Sequence, residues 1–151
     1  MEKLRRIDIE HRVLKTSALI SQVYNESVLE KVEELKKIRR VVKNFEAIGH
    51  SSDHNEHYGD LSARVLRNKF LCTATQTSGK SEEEMSLEDY PIIYDVDSIV
   101  LSLGLNQDKK PDEECSTHDG FYRGNEDISY VLHMDIALYY ITMKKHMVQF
   151  Y

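Results

Sequence analysis

The sequence predicts an all-α protein: a long N-terminal helix or helical hairpin packed with two shorter helices and a buried C-terminal helix. Three observations carry that prediction. The first 48 residues contain neither Gly nor Pro. Ile7, Leu14, Val28, Leu35 and Val42 fall in one heptad column, broken only by Ser21. The later apolar stretch 91–103 fits a 3.6-residue period better than strict alternation, and from 125 to near the C-terminus apolar residues spread round most of a helix, as in a central bundle helix. The alternative architecture is an N-terminal coiled coil carrying a small α/β head.

The domain boundaries follow from the same pattern. Residues 1–48 form the long helix, with Asn25 or Ser27 able to cap a second helix if the segment is a hairpin. The column opposite the heptad stripe holds Glu10, Ser17 and Lys31, which a two-stranded zipper would not tolerate. The stripe therefore asks for a broad apolar partner within a bundle. Gly49 is the expected stop. Residues 60–151 form a small helical domain with mobile loops at 76–88 and 105–124. Asp60 caps a short helix to about Thr75, and Pro91 opens another that ends at Gly104. A strand is the counter-reading for that last segment, because it is rich in β-branched residues. Asn125 caps the final helix.

Composition narrows the function without naming it. The 151 residues carry a net charge of −6, yet residues 1–48 are net +3 and the remainder net −9. A basic helix beside an acidic body suits intramolecular complementarity or two different partners. Overall acidity argues against a dedicated nucleic-acid binder. Cys72 and Cys115 are too few for a disulfide framework. With no N-terminal apolar run and no long apolar stretch, an intracellular location, cytoplasmic or nuclear, and no membrane partner are expected.

Several constellations hold residue types that could carry chemistry. His50, His54 and His57 are metal-ligand types, but the glycines flanking them read as a solvated loop, and H-E-x-x-H is absent. Cys115 and His118 have C-x-x-H spacing, half a zinc site at most. Ser78-Gly79-Lys80-Ser81 lacks the upstream glycine of a phosphate-binding loop. Asp95 and Asp97 share a face only on a strand. Ser81 and Ser86 precede acidic residues, as substrates of acid-directed kinases do.

The function expected is a non-enzymatic protein–protein interaction module, an adaptor or assembly subunit that meets a protein partner or a second copy as a homodimer, with no cofactor. Leu14, Val28, Leu35, Ile38, Val42 and Phe45 are the candidate pairing residues, and the basic face of Lys36, Arg40 and Lys43 a secondary docking site. A metal-binding role for the histidine loop and nucleic-acid binding through Lys36–Lys43 are the alternatives.

Overall fold

The computed structural model describes residues 10–15, 23–51, 56–67, 69–96, 99–106, 108–134 and 139–144. It overturns the all-α expectation, and with it the coiled coil and the helical bundle. The strands are β1 (Glu10–Lys15), β2 (Gly49–Ser51), β3 (Glu56–Tyr58), β4 (Asp60–Leu66), β5 (Lys69–Cys72), β6 (Ile92–Val96), β7 (Ile99–Gly104), β8 (Ile128–Met134) and β9 (Tyr139–Lys144). The helices are α1 (Glu26–Asn44) and α2 (Cys115–Gly124), with a 3-10 turn at Leu87–Asp89. Seven strands make one sheet in the order β1-β7-β6-β5-β4-β8-β9, and β2 with β3 form a separate hairpin. Only the β1–β7 pairing is parallel.

Each correction has a physical reason. The stretch expected as one helix over 1–48 holds a strand at 10–15 and a helix only from Glu26. Asn25 caps that helix by accepting from Val28 N–H at 3.0 Å. The chain leaves α1 before Gly49: Phe45 N–H closes on the Val42 carbonyl and Glu46 takes a left-handed φ of 57°. The expected helix at 60–75 is the β4–β5 hairpin, and the one at 91–103 is the β6–β7 hairpin. The C-terminal helix is the β8–β9 hairpin. In β6 and β8 the sheet is covered on both sides, so apolar runs replace alternation and imitate a buried helix. A register shift between Ile93 and Asp95 further spoils the period of two in β6.

The two helices lie on opposite faces of the sheet. On one face Val28, Val32, Leu35 and Ile38 of α1 pack on Leu61, Ala63, Leu71, Ile92, Tyr130 and Leu132. On the other, Cys115 and Tyr122 of α2 pack on Phe70, Cys72, Ile93, Ile128 and Val131. Successive strand residues go to opposite clusters: Leu71 to the first, Phe70 and Cys72 to the second. Leu61 and Ala63 face α1, which sends Asp60, Ser62 and Arg64 toward α2.

Candidate functional site

That second face carries a buried polar centre. Asp60 and His133 are direct cross-strand neighbours on β4 and β8. His118 enters from α2, its period set by Cys115, His118, Asp119 and Tyr122, all buried. His118 Nε2 lies 3.1 Å from Asp60 Oδ1, and His133 Nδ1 lies 3.3 Å from the same oxygen. The other imidazole nitrogen of His118, Nδ1, is 2.6 Å from Ser62 Oγ, which is 2.7 Å from the Tyr122 hydroxyl. An ionised Asp60 only accepts, so His118 Nε2 donates to it, and His118 Nδ1 shares the second hydrogen bond with Ser62 Oγ. Ser62 Oγ is hydrogen-bonded in turn to the Tyr122 hydroxyl.

Electrostatics fix the charge distribution. Burial pushes the Asp60 carboxyl up, but the His118 charge and hydrogen bonds from His118 and His133 outweigh it and hold the group below the usual carboxylate range. His133 is raised, chiefly by its bond to Asp60. Asp112, next to this pair, is pushed up to about 8 by burial, by the Asp60 charge and by the hydrogen bond it shares with Asp60. Asp60 is thus the anion, and Asp112 carries a proton at neutral pH. Burial and the neighbouring carboxylates raise both the Cys72 and Cys115 thiols, so neither is a ready nucleophile.

Arg64, next along the β4 face, closes the end of α2. Its guanidinium donates to the carbonyls of Tyr122, Asn125 and Ile128, each at 2.8 Å. A cation at a helix C-terminus also complements the helix dipole.

Ser62, His118 and Asp60 are arranged in the order of nucleophile, base and acid. Their exposure decides what the arrangement can do. His118 and Ser62 are 0% exposed and Asp60 2%. A substrate carbonyl has no path to a hydroxyl so covered. Metal-assisted chemistry would need a cation held by three or more imidazole, thiolate or carboxylate groups. The donor set does not fit: both His118 nitrogens are engaged, and among the described residues no three such groups are placed to hold a metal.

Residues 39–140 match the family described as Class II Aldolase and Adducin N-terminal domain. The chain belongs to this family. The family includes both enzymes and the non-enzymatic adducin, and domains of this kind can oligomerise and bind proteins. No individual curated protein matches the chain. No helix among the described residues is long and apolar enough to cross a membrane.

The predicted site residues lie elsewhere. Val28, Leu35 and Ile38 are core residues under α1, and Val42 packs half-buried beside them, which corrects their reading as a surface for pairing with a partner. Leu14 is in β1, in register with Leu103. Phe45 is 77% exposed. Arg40 is exposed, and Lys36 pairs with Glu33 at 3.2 Å. Lys43 donates to the Lys80 carbonyl, and burial lowers its pKa. The intramolecular complementarity weighed from the charge split exists at one point: Arg39, 1% exposed, pairs with Glu82 at 2.7 Å and donates to the Thr77 carbonyl at 2.7 Å.

His50 and His57 face each other across the β2–β3 hairpin with ring centroids 4.5 Å apart, so that segment is not a plain loop. Burial and His50 lower the His57 pKa. His54 lies outside the described residues, as does Asp97 of the Asp95/Asp97 pair. Asp95 is on a strand and exposed, 3.6 Å from Arg123. Of the C-x-x-H pair, His118 joins the polar centre while Cys115 packs in the apolar cluster.

Sequence reasoning missed Asp60, Ser62, Asp112, Tyr122 and His133. A signal for two of them was present: Asp60-Leu61-Ser62-Ala63-Arg64-Val65 alternates polar and apolar residues strictly.

Proposed function

We propose that this chain is a non-catalytic interaction module of the class II aldolase/adducin family, presenting the outer face of α1 to protein partners. One observation carries the reading: the best-formed chemical constellation among the described residues is buried. The Tyr122–Ser62–His118–Asp60–His133 chain lies buried beneath α2 and ties that helix to the sheet. A buried network of this kind supports packing rather than turnover.

The outer face of α1 supplies the complementary feature. Val41 is 53% exposed and Leu29 42%, with Phe45 one turn beyond Val41. They stand among Glu30, Glu33, Lys37 and Arg40, a mixture typical of an interface rim. Of the residues expected to meet partners, Phe45, Lys36 and Arg40 remain on or near this surface.

Two measurements test the proposal. A fluorophosphonate probe labels an activated serine; the folded protein is expected to remain unlabelled at Ser62. Labelling that disappears in both Ser62→Ala and His118→Gln would establish a working nucleophile and overturn the reading. A photo-cross-linking residue at Val41 is expected to capture protein, whereas the same residue at Thr117 on α2 is not. Equal capture from both positions would remove α1 as the docking surface.

A further inference from the structure

We infer that the occupant of the outer face of α1 is a second copy of this chain, bound antiparallel across a two-fold axis. The inference rests on the interaction role proposed above and deepens it by naming the partner. What carries it is the order of charges along the helix. The exposed charges nearest the middle of the helix are acidic in the first half, Glu30 and Glu33, with Glu26 beyond them, and basic in the second half, Lys37 and Arg40. Leu29 and Val41 flank the four central charges at opposite ends.

These six residues are placed symmetrically about the level of Leu35, which itself points into the core. A two-fold axis perpendicular to the helix at that level makes the contact isologous, as closed dimers require. Glu33 then comes level with the partner's Lys37, and Glu30 with the partner's Arg40. The leucine and valine run along the two edges of the strip. The mirrored charges occur twice, once in each half of the contact. A parallel arrangement would set acid beside acid and base beside base, so the pattern selects against it. Glu33 already pairs with Lys36 within its own helix at 3.2 Å, and this exposed pair can exchange partners at little cost.

The strip is modest. A helix of 19 residues rises 1.5 Å per residue, and one face of it lies at the low end of specific interfaces, below about 1,200 Å² in total. The expected dimer is therefore weak, with a dissociation constant on the order of micromolar, and weakens as salt screens the pairs.

Sedimentation equilibrium on the full chain, over a range of concentrations at low salt, is the test. Two variants reverse half of the pattern each: Glu30→Lys with Glu33→Lys makes these four charges all basic, and Lys37→Glu with Arg40→Glu makes them all acidic. Each alone is expected to weaken self-association by at least about tenfold, because symmetry doubles every like-charge contact. Mixed in equal amounts, the two are expected to form a heterodimer. That rescue also shows that both variants are folded, and circular dichroism of each checks it independently. A wild type that stays monomeric, or a dimer indifferent to both variants, would overturn the inference. Continued capture of a different protein by the Val41 cross-linker in that case would leave the interaction role standing, so the two failures are told apart.

Discussion

The two faces of the sheet are covered by one helix each, but they are glued by different physics. Beneath α1 the contact is mainly apolar: Val28, Val32, Leu35 and Ile38 on Leu61, Ala63 and Leu71, with the buried Arg39–Glu82 pair at one point. Beneath α2 a short helix is held by a hydrogen-bonded chain of Tyr122, Ser62, His118, Asp60 and His133, with Arg64 bound to its terminal carbonyls. The long helix is held mainly by the apolar surface it buries, and Arg39 and Lys43 add directional bonds to Glu82 and to the Thr77 and Lys80 carbonyls. The 10-residue helix buries little and needs such bonds. The polar face gains geometric definition at the cost of fragility, since removing any one member strands the others.

The largest effect should come from that fragility. His118→Ala removes the partner of both Asp60 and Ser62 and opens a cavity, so a loss of about 3–5 kcal/mol is expected in urea unfolding. A loss below about 1 kcal/mol would show that α2 is held by its apolar contacts alone.

The same contrast explains what was legible in the sequence. The face under α1 was half legible: Val28, Val32, Leu35 and Ile38 announced a helix, and Asn25 was a candidate cap. Its partner surface was not, because strands covered on both sides read as apolar runs without alternation. The helix α2 was invisible for the opposite reason. Its inward positions are Cys115, His118, Asp119 and Tyr122, so a search for apolar periodicity passes over it and reports a polar loop. Asp60, Ser62 and Arg64 alternate with Leu61, Ala63 and Val65, yet their convergence with His118 and His133 depends on β4 pairing with β8, some seventy residues away. No local pattern encodes that.

On the apolar face, Leu35→Ala should cost about 3 kcal/mol, within the range for a fully buried leucine. It should leave the pH dependence of stability unchanged, whereas changes at the polar face should alter it. Equilibrium unfolding at two pH values separates these outcomes.

A smaller effect tests the charges. The folded protein holds the Asp112 proton up to about pH 8, while the unfolded chain releases it at the ordinary carboxylate range. Between those limits the folded state binds more protons, so stability should fall as pH rises from about 5 to 8. The raised pKa of His133 acts in the same direction. Asp60 acts oppositely, and its contribution disappears only as pH falls below the ordinary carboxylate range. Asp112→Asn should flatten the decline and gain on the order of 2 kcal/mol over the wild type at pH 8. Thermal melts of both proteins across this range would show it, and parallel profiles would mean that Asp112 is not the titrating group.

The central claim is that the Asp60 network exists to hold the fold rather than to perform chemistry. Catalytic polar groups are commonly maintained at the expense of stability, so their isosteric replacement is neutral or stabilising. Structural ones behave in the opposite way. The urea-unfolding free energy of Asp60→Asn, which keeps shape and removes the charge accepted from His118 and His133, separates the two most directly. A loss of at least about 2 kcal/mol is predicted. A variant as stable as the wild type, or more so, would contradict the account and return the network to the list of working sites.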